Sequence, residues 1–150
     1  MSEIREFTSY EEMKDVHQKD VNDFPMIFLF GKKSDAELKR ILAKINATTL
    51  DECISVCGAG DVMNKADLPK WKELCIRHDE ERKCFIEKEN NLVEAILYEM
   101  YAHEYSYTQD PEDTLMALGR TYEDLENDLL FNRAWAKAQN KCFTCGDEEE

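Results

Sequence analysis

The sequence predicts an α+β fold, a mostly helical single domain with a small two- or three-stranded sheet. Most of the chain repeats apolar residues at the three- and four-residue spacing of amphipathic helices, and several of these stretches open on capping signals. Two short runs interrupt that pattern, "FPMIFLFG" and "ECISVCGAG", each bounded by turn residues as strands are. A chain of 150 residues, 43% of them hydrophobic, is also long enough to bury its own core.

Taken in order, Ser9 with Glu12 forms an S-x-x-E capping box that opens a helix through about Val21. Met26 to Phe30, between Pro25 and Gly31, reads as a buried strand. Ser34 with Glu37 repeats the capping box, and Leu38, Ile41, Leu42 and Ile45 form a helical stripe. Cys53 to Cys57 alternates as a second strand; Gly58 and Gly60 turn the chain into a third short strand at Val62 and Met63. Pro69, after Asp67, begins a helix with Trp71, Leu74, Cys75 and His78 on one face. "EKENN" at 87–91 has no apolar residue and interrupts it. Leu92 to Tyr105 is apolar on most sides, as the central helix of a core would be. Asp110 and Pro111 start the next helix, Gly119 closes it, and Thr121 opens a last one to about Asn140. Residues 1–140 are therefore expected to form the domain, and 141–150 an acidic C-terminal tail.

Charge narrows the function. Thirty-three acids against nineteen Lys and Arg give a net charge of −14. Affinity for phosphate backbones and anionic membranes comes from Lys and Arg, so neither direct nucleic-acid binding nor membrane binding is expected. A basic protein partner remains open. The N-terminal stretch "MSEIREFTSYEEMKDV" lacks a secretory pattern, and a cytoplasmic location is expected. The six cysteines should then be mostly reduced.

The stretch 110–128 concentrates the charge: seven acids (110, 112, 113, 123, 124, 126 and 128) against one base, Arg120. "LGRT" followed by Leu125 fits the turn of a helix-turn-helix. In a DNA reader, however, the second helix carries Arg, Lys, Asn or Gln towards bases and phosphates. Here it carries Glu123, Asp124, Glu126 and Asp128, so DNA binding is excluded. Two packed helices explain the turn, and the acids could act as a decoy for nucleic acid.

Metal and catalytic motifs are weak. Cys142-x2-Cys145 has the spacing of a zinc knuckle, but Cys53-x3-Cys57 is one residue too long to be its usual partner. Glu99 and His103, at i and i+4, share a helical face and could chelate a metal or pair an acid with a base. A satisfied ion pair closing the core explains them better. "CGAG" at 57–60 is too short for a phosphate loop. No catalytic residue, cofactor or metal ligand is assigned.

"FPMIFLF", "SVCGAG" and "HEYSYTQDPEDTLMALGRTYEDL" resemble a family of small uncharacterised proteins carried by phages and mobile elements of gut-type bacteria, in order over about residues 20–130. The resemblance implies no site residues. It implies a context, that of small accessory proteins among which inhibitors of host defence are common. The expectation is a non-enzymatic interaction module, in its sharpest form an anti-CRISPR or anti-restriction inhibitor imitating DNA. It would bind a basic host protein through Glu112, Asp113, Glu123, Asp124, Glu126 and Asp128. The alternative is a small metal-binding protein or metal-dependent enzyme using Glu99 with His103, or the cysteines.

Overall fold

In a computed structural model, residues 3–144 are described. The fold is α+β and mostly helical, with eight α-helices and one small antiparallel sheet among those residues. Contacts divide the described residues into two compact units, one taking in residues 16–79, the other residues 4–15 and 80–144. The division falls within helices α1 (Tyr10–Asp23) and α3 (Leu68–Phe85).

The first unit holds the sheet. Strands β1 (Met26–Phe28), β2 (Cys53–Ile54) and β3 (Asp61–Asn64) lie in the order β1-β3-β2. The register pairs Met26 with Met63, Phe28 with Asp61, and Cys53 with Asn64. Helix α2 (Asp35–Ala43) starts where its sequence says it should, with Ser34 Oγ accepting from the Glu37 N–H at 3.2 Å. Its stripe buries Leu42 and Ile45, with Ile27 and Val62 packed against them from the sheet. Side-chain alternation then turns Phe28 to the opposite face, where it is exposed and stacks parallel to Phe30 with centroids 6.3 Å apart.

The second unit is built on α4 (Glu89–Ala102) packed against α8 (Leu129–Thr144). Helix α4 buries Leu92, Val93, Ala95, Ile96, Glu99 and Met100. Against these, α8 sets Phe131, Ala134, Trp135, Ala138 and Cys142. Two short helices, α6 (Glu112–Ala117) and α7 (Tyr122–Asn127), complete the unit's acidic region. Leu115 and Leu118 enter the core, Leu125 packs against it, and Gly119 between the helices has φ +69°.

Two expected continuous helices are broken. The helix from Thr121 stops at Asn127, because Asp128 is extended and its Oδ1 accepts from the Phe131 N–H at 3.1 Å, capping a new helix. Leu129, the first residue of the new helix, is exposed. The helix from Leu92 stops at Ala102, and Glu104 takes the left-handed conformation before the single turn α5 (Tyr105–Thr108). Helix α8 runs on through 141–144, with Cys142 buried; residues 145–150, the rest of the expected tail, lie outside the described residues.

Candidate functional site

The acidic region is positioned by its caps. Asp110 Oδ1 accepts from the Glu112 N–H at 3.0 Å and opens α6. A reciprocal capping box opens α7: Thr121 Oγ1 accepts from the Asp124 N–H at 3.2 Å, and Asp124 Oδ2 accepts from the Thr121 N–H at 3.0 Å. Asp124 and Asp128 are thus half-buried and occupied in ending and starting helices. Arg120, the one base between 110 and 128, meets Asp128 at 3.5 Å and lies over the Phe131 ring, 5.1 Å from its centroid.

The other four acids of the expected set, Glu112, Asp113, Glu123 and Glu126, are exposed and make no ion pair among the described residues. Elsewhere in the unit the balance differs: Arg133 and Lys137 both hold Glu89, each at 2.9 Å. Tyr122 joins the two short helices, donating from its hydroxyl to Asp110 Oδ1 at 3.4 Å. Its phenol is pushed above the ordinary range by desolvation and, secondarily, by the carboxylates of Asp110 and Glu112.

Helical spacing then sets neighbours. Met116 is four residues after Glu112 and 69% exposed; Tyr122 is four before Glu126 and 51% exposed. The surface therefore offers apolar and phenolic side chains between carboxylates. Sequence reasoning chose the acids, read Asp110 as the start of a helix, and missed Met116 and Tyr122. Net charge drew attention to the anions, whereas exposed apolar residues on short helices have no one-dimensional signature.

The Glu99 and His103 pair is a second cluster, on the buried side of α4. Glu99 is 1% exposed. Lys14 Nζ lies 3.2 Å from its Oε1 and His103 Nε2 3.8 Å from its Oε2. Burial and the Glu99 charge push the Tyr10 phenol well above the ordinary range, while Arg82 opposes the shift. The ammonium of Lys14 already supplies the positive charge that a buried carboxylate requires, so the cluster works as an internal ion pair.

The glycine-rich loop between β2 and β3 closes on its own anion. Asp61 is fully buried, and its carboxylate accepts from the N–H groups of Val56 (2.8 Å), Cys57 (3.0 Å) and Ala59 (3.2 Å) and from Ser55 Oγ (3.0 Å). The amides that would cradle a phosphate are turned inwards.

Cys57 and Cys75 lie near each other, and burial together with the Cys57 charge pushes the Cys75 thiol up. Cys53 is half-buried, with its thiol pushed up by burial and by the Glu52 charge, while Lys65 opposes. Cys57 is exposed and Cys142 is in the core; Cys145 lies outside the described residues. Among the described residues, neither the cysteines nor Glu99 and His103 belong to a trio of side chains close enough to share a metal ion. No helix among them is long and apolar enough to cross a membrane.

No curated protein and no solved structure matches the chain. A family model does match it, over residues 9–141, which takes in the sheet, the Glu99 cluster and the acidic region. The chain belongs to the family described as a family of unknown function, DUF7659.

Proposed function

We propose that this chain is a non-enzymatic interaction module whose α6–α7 surface binds a basic protein. The observation that carries the reading is the commitment of Arg120 to Asp128, which leaves Glu112, Asp113, Glu123 and Glu126 exposed without a counter-charge. Uncompensated carboxylates steer a basic partner and give the contact its register. Met116 and Tyr122 supply the apolar and phenolic anchors that charge alone does not provide. Asp124 and Asp128 contribute indirectly, by fixing the helix ends that present the other four.

The resemblance to proteins of phages and mobile elements supports a sharper form: a cytoplasmic inhibitor of a host nucleic-acid-binding defence protein, with the carboxylates standing in for phosphates. The test is competition. The full chain is used to capture basic host proteins, and a short DNA duplex is titrated into the complex. Displacement by the duplex at moderate salt is expected. A captured basic protein that DNA does not displace would discard the mimicry and keep only the interaction surface.

A further inference from the structure

Strand β1 forms one edge of the sheet, paired on one side only, with β3. We propose that its outer edge pairs antiparallel with the β1 edge of a second copy of the chain, across a two-fold axis, giving a weak dimer. The alternation of an antiparallel ladder fixes which backbone groups are available. The Leu29 N–H donates to the Gly60 carbonyl at 2.8 Å, so Leu29 faces β3 and, two residues back, so does Ile27. Met26 and Phe28 therefore point their N–H and C=O groups outwards. Among the described residues these groups have no hydrogen-bond partner. Such a row of donors and acceptors is a template for another strand.

The side chains and charges fit a second copy. Phe28 and Phe30 are 56% and 66% exposed, with rings within 4° of parallel. A Cβ on Gly60 would come 2.9 Å from Phe30 Cε1, so that ring lies against bare backbone. The aromatic pair is thus ordered before a partner arrives, which lowers the entropy cost of docking. Setting Phe28 opposite Phe28 of the second copy makes an aromatic cross-strand pair and puts Phe30 beside Met26. Charge selects the same register. Asp23 and Lys33 are each five residues from Phe28, so antiparallel pairing sets the acid of one copy at the end where the other carries Lys32 and Lys33. All three are exposed and make no ion pair among the described residues.

Charged side chains within an edge strand block such pairing, and residues 24–31 carry none. Pro25 precedes the strand and leaves the donors of Met26 and Phe28 intact. Residues 16–79 carry ten bases and ten acids, so the net charge of −14 lies wholly outside them. Repulsion from that excess, and a strand of three residues, keep the dimer weak.

The experiment is sedimentation velocity of the full chain from micromolar to millimolar concentration, in reductant so that cysteines do not cross-link copies. Residue-resolved amide exchange is measured by NMR at both ends of the series. A monomer–dimer equilibrium is expected. The Met26 and Phe28 amides should gain protection as the dimer forms, while Ile27, bonded to β3, is protected throughout. Phe28→Thr with Phe30→Thr keeps strand-forming residues and should weaken the dimer at least ten-fold. Asp23→Lys should weaken it too, and adding Lys32→Asp and Lys33→Asp should restore it. Circular dichroism establishes that each variant is folded; if one is not, the wild-type exchange pattern decides alone. A chain that stays monomeric, a dimer that leaves the Met26 and Phe28 amides unprotected, unchanged affinity in the folded double threonine variant, or a charge swap that restores nothing would each overturn the proposal.

Discussion

Asp61 sits at 0% exposure with four donors around its carboxylate. Burial alone would raise its pKa; the N–H groups of Cys57 and Val56, the Ser55 hydroxyl and the Ala59 N–H outweigh it, holding the group well below the ordinary carboxylate range. Because the folded value lies below the unfolded one, the stabilisation is complete above the ordinary value, about pH 4, and fades as the pH falls further. In Asp61→Asn an amide NH2 would face donors, at a cost of about 2 kcal/mol or more. The gap between wild type and variant in thermal unfolding should be wide at pH 7 and narrower at pH 3. A gap independent of pH would show that the loop does not depend on the charge. Nothing in the sequence announced this role. "CGAG" reads only as a turn too short for a phosphate loop, and the anion that its amides hold follows directly in the chain as the first residue of β3.

The helix breaks are set by single residues with particular backbone geometry. Gly119 has φ +69°, and a Cβ there would come 2.8 Å from Arg82 Nη2, the movable end of a side chain. Gly119→Ala should therefore lower stability by about 1 kcal/mol, mainly through the backbone. Glu104 is in the same left-handed region, φ 54°, without being glycine. Glu104→Gly should act in the opposite direction and raise stability by about 0.5–1 kcal/mol. Paired denaturant titrations check both signs, and a destabilised Glu104→Gly would mean that the glutamate side chain makes a contact worth more than its strain. Thr121→Ala, which removes half of the capping box, should cost about 1 kcal/mol. A smaller loss in urea unfolding would mean that Asp124 holds the α7 start unaided. These elements were unequally legible. Ser34, Thr121, Gly119 and the three strands followed from side-chain chemistry and period. The breaks at Glu104 and Asp128 did not, because Glu favours helices and an Asp inside an acidic run looks like one more surface charge. Each break is a local backbone turn, at Glu104 in the left-handed region and at Asp128 in the extended one, that period counting does not see.

At the scale of the molecule, the question is what an excess of fourteen negative charges does. Part of it is ordinary structure: Asp124 and Asp128 cap helices, Asp61 closes a loop, and Glu99 pairs internally with Lys14. The sequence could not separate these from the exposed acids of the same region, since both kinds are Asp and Glu a few residues apart. The separation yields a sharper experiment than changing the whole cluster. Converting Glu112, Asp113, Glu123 and Glu126 to their amides leaves every cap in place, so the fold and its thermal midpoint should be preserved. The decisive measurement is the affinity of this four-amide variant and of the wild type for a captured basic partner, across a series of salt concentrations. Wild-type binding should weaken steeply as salt rises, and the variant should bind at least ten-fold more weakly with a shallow salt dependence. Equal affinity of the two proteins, or wild-type binding indifferent to salt, would contradict the account and reduce the α6–α7 acids to a solvated surface.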